Sequence, residues 1–412
     1  MHKRRRRSNP LRVFILLVLL AGALYVNQVV VPATPPLFIP TPTATRSPES
    51  FVTDAETLAA QGKLLQAVEQ YKTAIQVDPK NPANYIAIAR LQVYTNFFEE
   101  AVENAENALL INPNNATAHA IRGWALFFLE DYLVAEAAIR QAIELEPNNS
   151  QAYAYLAEVL ATQSQLGIGT IGTLDKAVEA SRTAMALSPD SLETHRSRGI
   201  VLEITGNYTE AANEFEAAIA INPNIADLHL ALGRSYRFLE QYDKAIEEFN
   251  RANALNPADP NPDTFISRTY STVGEYAKAI QFAQQAVKDD PLDPYLYGNL
   301  GSMYSRNAQY LEAIEPLRIA VRGGNTTEGS EVTGLSLDYG RIAEYYSSYG
   351  LALARVGECG EALQISQLLL EGVPTDEIGI FNAETIVQIC EETAESGPQI
   401  VPSETPEDNV SQ

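Results

Sequence analysis

Few residues in this chain are of types that do chemistry. Among its 412 residues are four histidines and two cysteines, too few and too scattered for a metal protein or a disulfide-dense scaffold. His119, His195 and His229 stand tens of residues apart, each near the start of an apolar-periodic stretch, so they read as packing and not as ligands of one metal. No serine or cysteine nucleophile stands at a recognisable spacing from a base. The run Gly167-Ile168-Gly169-Thr170-Ile171-Gly172 has the letters of a dinucleotide fingerprint. That motif works only between a strand and a helix, whereas here helical periodicity precedes it, so it reads as a turn. No catalytic residue, metal site or cofactor is expected.

Charge narrows the field further. The net charge is −23, but residues 1–50 carry +6 through Lys3, Arg4 to Arg7, Arg12 and Arg46 against Glu49, which leaves −29 on the remainder. An acidic body lacks the basic footprint that phosphate neutralisation requires, so nucleic acid is not an expected partner. The cations that remain are unevenly placed. Seven lysines follow residue 50, while ten of the fifteen arginines there, among them Arg90, Arg196, Arg234, Arg237, Arg268 and Arg306, fall in alternate helical stretches that contain none of the lysines.

The elements that must position these side chains are set by a repeat. Pro79, Pro113, Pro147, Pro189, Pro223, Pro257 and Pro291 are 34 residues apart, except for one interval of 42. Twelve residues before each proline stands Ala67, Ala101, Ala135, Ala177, Ala211, Ala245 or Ala279, and five before it stands Ala74, Ala108, Ala142, Ala184, Ala218, Ala252 or Ala286. His229, Leu232, Gly233 and Tyr236 share one face of a first helix, and Ala245, Phe249 and Ala252 one face of a second. Small residues let the two backbones approach, and proline stops the second helix. An aromatic recurs at the junction of the pair: Phe98, Tyr132, Tyr208, Tyr242, Tyr276 and Tyr310. One such pair cannot bury its apolar face, so the pairs must stack.

This pattern resembles the tetratricopeptide (TPR) repeat, with Leu232-Gly233, Tyr236, Ala245, Phe249, Ala252 and Pro257 as its best instance. The resemblance implies an all-α fold, a right-handed TPR α-solenoid that forms an open curved stack. It divides the chain into a basic cytoplasmic segment (1–12), a transmembrane signal-anchor helix (13–31), a Pro/Thr-rich stalk (32–50), a TPR array of eight repeats (51–327), a loop and helix start (328–342), a degenerate ninth repeat (343–376), a capping helix (377–397) and a disordered tail (398–412). The apolar run Val13 to Val31 would span roughly 28 Å as a helix, close to a bilayer core. The basic cluster before it puts the amino terminus in the cytoplasm and the body outside, on a single-pass anchor in the plasma membrane. A cleaved signal peptide is the rival, because Ala21-Gly22-Ala23 resembles a cleavage site.

The resemblance also implies a function. First helices of TPR proteins line a concave groove that binds protein or peptide, and the repeat frame turns Arg90, Arg196, Arg234, Arg237, Arg268 and Arg306 towards it. A basic furrow in an acidic body suits an extended acidic segment, since guanidinium groups bind carboxylates bidentately. Arginines satisfied by nearby glutamates are the alternative. Tyr94, Trp124, Phe127 and Phe128 fall at inner positions and form either core or an apolar anchor pocket. The Lys/Asn/Arg clamp of some TPR cochaperones has no counterpart, since the matching positions hold Val52, Glu56, Arg90, Ala120 and Trp124. Cys359 takes the slot that is aromatic elsewhere and Cys390 lies late in the capping helix. Outside the cytoplasm the two could form a disulfide stapling the cap, and two separately buried thiols are the alternative. The reading is a scaffold and not an enzyme; a structural or glycan-associated envelope component is the second possibility.

Overall fold

The computed structural model describes residues 9–30 and 46–396. The stalk expected over 32–50 and the tail over 398–412 lie largely outside them, as do residues 1–8. Two units divide the chain, Met1–Ser50 and Phe51–Gln412.

In the first unit, α1 spans Pro10–Tyr25 and continues as a π-turn over Val26–Val30. Asn9 caps it by accepting from the Leu11 N–H at 3.1 Å, with Pro10 in the first turn, where its missing N–H costs nothing. The segment Pro10–Val29 is long and apolar enough to cross a membrane, at 20 residues and a mean hydropathy of 1.9, and none of it is buried within the protein.

The second unit is a stack of helix pairs. The pairs are α2 (Pro48–Ala60) with α3 (Leu64–Val77), α4 (Pro82–Tyr94) with α5 (Phe98–Ile111), α6 (Ala116–Phe128) with α7 (Tyr132–Leu145), and α8 (Ser150–Gln165) with α9 (Thr173–Leu187). Next come α10 (Leu192–Ile204) with α11 (Tyr208–Ile221), α12 (Ala226–Phe238) with α13 (Tyr242–Leu255), α14 (Asn261–Thr272) with α15 (Tyr276–Asp289), and α16 (Pro294–Arg306) with α17 (Tyr310–Arg322). A short hairpin of β1 (Gly324–Asn325) and β2 (Glu331–Val332) precedes α18 (Arg341–Val356), α19 (Cys359–Gly372) and α20 (Glu377–Ser396). Pro48–Ser50 thus belong to a helix and not to the stalk, and a two-stranded ladder of Gly324–Asn325 with Glu331–Val332 stands where the end of the eighth repeat and a loop are expected.

The recurring residues have recurring jobs. Each second helix from α3 to α15 ends two residues before its proline, and the residue between them is its C-cap. There the backbone N–H donates to the carbonyl of the alanine five positions before that proline, as from Asn256 to Ala252 at 3.0 Å. Those alanines and the ones seven residues earlier are buried, which brings neighbouring helices close. A Cβ built on Gly233 would lie 2.5 Å from the Phe249 ring, and one on Gly199 would lie 2.6 Å from Phe215, so in these two pairs the phenylalanine of the second helix packs directly on the first helix's backbone. Asparagine, serine or aspartate caps the next first helix: Asn81, Asn115, Asn149, Ser191 and Asp293 each accept from a first-turn N–H. The aromatic residues placed at the helix junction are the first residues of second helices.

Between the paired helices the chain takes one left-handed residue. Gly62, Gly206, Gly274 and Gly357 supply it in four units, and Asn96, Glu130, Glu240 and Ala308 occupy the same place at φ of 58–63°. The side-chain-bearing residues pay the steric cost of that region. The eight extra residues of the fourth unit are not confined to its turn. α8 has 16 residues where α6 and α10 have 13, α9 has 15 where α7 and α11 have 14, and the connection between α8 and α9 takes the rest, with Gly167 and Gly172 at positive φ.

The apolar residues form a series of clusters along the stack and not one central core. The stack is also more tightly wound than the open curve expected. Gly62, in the first pair, lies against Asn224 after α11, where a Cβ would come within 2.4 Å of that side chain. Tyr94 packs on the clusters of both the early helices and α11–α12. At the far end, α20 covers α18 and α19 with Ala383 and Ile386 fully buried, and the Ser366 hydroxyl donates to the Ala383 carbonyl at 2.8 Å.

Candidate ligand groove

The inward face of the first helices carries the arginines, and the structure sorts them into two groups. Arg196 on α10 is buried, with 4% of its side chain exposed. Its guanidinium donates to Glu158 on α8 at 3.0 Å and to Asp227 on α12 at 2.6 Å, and its carbon lies 5.1 Å from the centre of the Trp124 ring. Glu158 also accepts from the Trp124 indole N–H at 3.1 Å, and Trp124 stacks on Tyr155 at 4.4 Å and meets Tyr94 edge-on at 5.3 Å. Burial pushes the Glu158 carboxyl up to about 7, against the opposing pull of Arg196 and the Trp124 hydrogen bond. Burial works against the Arg196 charge too, yet Glu158 and Asp227 together hold that guanidinium above its usual range. Arg234 makes a bidentate pair with Glu203 on α10, at 2.8 and 2.9 Å. Two arginines expected to await a ligand's carboxylates are thus already satisfied by the protein's own, and Trp124, 1% exposed, is structural. Arg90 is half-buried and reaches Gln151 at 3.5 Å.

The second group is Arg237, Arg268 and Arg306, joined by Arg341 at the start of α18, which is not among the residues expected in the groove. Arg306 and Arg341 share Glu344, at 3.0 and 2.7 Å. Arg268 donates to the Asn299 side-chain oxygen at 3.1 Å and approaches the Tyr345 hydroxyl at 3.5 Å. The sequence carries a signal for this sorting. Arg196–Asp227, Arg234–Glu203 and Arg268–Asn299 are all 31 residues apart, which places them side by side on successive first helices. At the same offset from Arg237 stands Arg268, so the repeat supplies that pair no counter-charge.

The aromatic positions divide likewise. Tyr94 and Trp124 line a cavity of ≈ 220 Å³ with Arg196 and Asp227. Phe128, which lines that cavity too, opens with Phe127 onto another of ≈ 490 Å³, walled by Ile200, Ile204, Phe238 and Phe265 and rimmed by Arg196, Asp227, Arg234 and Glu203. Phe128 stacks on Phe98 at 4.8 Å and Phe238 on Tyr208 at 4.4 Å, so both walls are braced.

The histidines tie helices to turns or to one another. His229 lies between Glu248 at 2.6 Å and the Pro223 carbonyl at 3.0 Å, His195 meets Glu214 at 2.7 Å, and His119 reaches the Pro113 carbonyl at 2.9 Å. Among the described residues no group of three acidic, histidine or cysteine side chains could hold a metal. The Cys359 and Cys390 sulfurs are bonded, with Cα atoms 5.5 Å apart, joining α19 to the cap.

Successive helix pairs, closed by alanine and proline and stacked by their first helices, define an α-solenoid of the tetratricopeptide class. Three tetratricopeptide repeat family profiles match, over residues 86–132 and 122–191, residues 204–268 and residues 282–315; the chain belongs to the tetratricopeptide repeat family. Among solved structures, it resembles the APC/C hetero-tetramer Cut9–Hcn1 at 19% identity and a TM-score of 0.48, over 60% of this chain and 48% of the other, so it spans about half that chain's length. A tetratricopeptide repeat protein from Parabacteroides merdae is 17% identical (TM-score 0.39), over 62% of this chain and 98% of that one. PilF of Pseudomonas aeruginosa is 19% identical (TM-score 0.40), over 59% and 91%. No curated protein matches the sequence.

Proposed function

We propose that this protein is a membrane-anchored scaffold that holds an extended segment of a partner protein against its inner face, with an apolar side chain seated between α6, α10, α12 and α14. The observation that carries this reading is the cavity beside Phe127 and Phe128. Its ≈ 490 Å³ falls within the range of ligand pockets, its walls are aromatic and aliphatic, and its rim bears ion pairs that could orient a backbone. Acidic residues of the same segment would meet Arg237 and Arg268, whose charges the protein leaves largely uncompensated. The apolar helix Pro10–Val29 supports a single-pass anchor in the plasma membrane. The basic cluster before it supports a cytoplasmic amino terminus with the repeats on the far side. The bonded Cys359 and Cys390 agree with an oxidising compartment.

Photo-crosslinking tests the reading. A photoreactive residue at Phe127 of the full-length protein in its native membrane should capture one dominant partner through an apolar side chain. Ile200→Trp, which fills the cavity, should reduce that capture at least tenfold at unchanged helicity. Equal capture by the filled variant would overturn it.

A further inference from the structure

A third cavity lies where α12, α14, α16 and α18 face one another. Its volume is ≈ 70 Å³, several times the roughly 10–15 Å³ that one water requires, and Arg237, Arg268, Arg306 and Arg341 line it with Ser271 and Ser302. Glu344 is the one carboxylate in that lining, so four guanidinium groups and one carboxylate leave three positive charges around a small space. The imbalance follows from the repeat: the offset that gives Arg196 and Arg234 their carboxylates gives Arg237 another arginine. Like charges crowd as a result. Burial, then Arg268 and Arg341, hold the Arg237 guanidinium below its usual range, and burial with Arg341 does the same to Arg268.

Donors here also lack acceptors. Ser271 and Ser302 are 7% and 3% exposed, and their hydroxyls have no hydrogen-bond partner among the described residues; nor has the buried Nε of Arg237. Buried polar groups are ordinarily satisfied, so a cavity ringed by orphan donors and surplus cations calls for an acceptor-rich anion.

The geometry points to an oxyanion site here, formed by Arg237, Arg268, Arg306 and Arg341 with Ser271 and Ser302, that takes a doubly charged phosphate group. A phosphate dianion matches the surplus charge better than a single carboxylate, and its three terminal oxygens accept from more donors than a carboxylate's two. Guanidinium forks suit either planar or tetrahedral oxyanions, so charge and donor number decide. The site does not depend on the apolar cavity; it assigns to a phosphate the Arg237 and Arg268 charges that acidic residues of the proposed segment would otherwise meet.

Calorimetric titration of the full-length protein in detergent tests the site. Inorganic phosphate and N-acetyl-O-phosphoserine amide are the probes, with acetate and malonate as carboxylate controls, at low ionic strength and near-neutral pH. Saturable phosphate binding is expected, weakened tenfold or more by Arg237→Gln or Arg268→Gln. Ser302→Ala, which removes a hydroxyl and no charge, should weaken it about fivefold with helicity unchanged. Arg140→Gln should leave binding as it is, because Arg140 pairs with Glu136 at 2.7 Å on a second helix away from the cavity. Tighter binding of the phosphoserine probe would identify a protein-borne phosphate as the source, and tighter binding of inorganic phosphate a free ion; both support the site. Absence of saturable binding would overturn it, as would malonate binding as tightly as phosphate. So would equal losses in Arg140→Gln and Arg268→Gln, or affinity retained in both Arg268→Gln and Ser302→Ala.

Discussion

At the scale of single residues, the node of Glu158, Arg196 and Trp124 sets a pH dependence. Two buried charges and an indole share it, and the carboxyl sits at about 7, above its ordinary value near 4.5, chiefly because burial disfavours the anion. A carboxyl that binds its proton more tightly folded than unfolded contributes stability that is complete below the unfolded value. That stability is lost as pH rises through the folded one. The intact protein should therefore lose stability relative to Glu158→Gln between pH ~5 and ~8. Glutamine keeps an acceptor for Arg196 and Trp124, so the slope of the difference is informative even if the variant is less stable throughout. Thermal unfolding of both proteins across that range checks it; a constant gap would show that Glu158 stays ionised.

Helices and turns are the next scale, and two features of the repeat lead to measurable stability changes. Glu240 and Ala308 occupy left-handed positions that glycine fills in four other units, at φ of 59° and 58°. A side chain there costs about 1–2 kcal/mol, partly offset by the entropy that glycine would lose. Glu240→Gly and Ala308→Gly should each stabilise the stack by about 0.5–1 kcal/mol, read from the denaturant midpoint. The second feature is the closing of the final pair. The Cys359–Cys390 bond closes a loop with a sequence separation of 31, and Ile386 and Ala383 add apolar contact. Cys359→Ser should destabilise the terminal helices by about 2–4 kcal/mol. Amide exchange would show this as faster opening of Glu377–Ser396, with the helices of the early repeats unaffected.

Over the whole molecule, the winding of the stack decides which surfaces a partner can reach. Gly62 lies against Asn224, and Tyr94 bridges the early helices to α11 and α12, leaving a cavity of ≈ 220 Å³ beside Trp124. The proposed recognition surfaces lie at two other cavities. One is the apolar cavity at Phe127 and Phe128, the other the cationic cavity at Arg237 and Arg268. The two differ in chemistry, and their occupants can be titrated separately.

The repeat unit was legible in the sequence because its causes are local. Alanines at fixed positions permit close helix contact, proline ends the second helix, and both act within about one repeat length. The fate of the arginines was not legible in the same way. Whether a guanidinium faces a carboxylate, an amide or another guanidinium depends on residues one repeat away, as with Arg196 and Asp227, Arg268 and Asn299, or Arg237 and Arg268. That neighbour is fixed only when first helices stack with a definite stagger. Likewise the contact of Gly62 with Asn224 arises from small rotations accumulated over several pairs. The pattern within one unit determines the fold; the angle between units, which packing sets, determines where the molecule can hold a ligand.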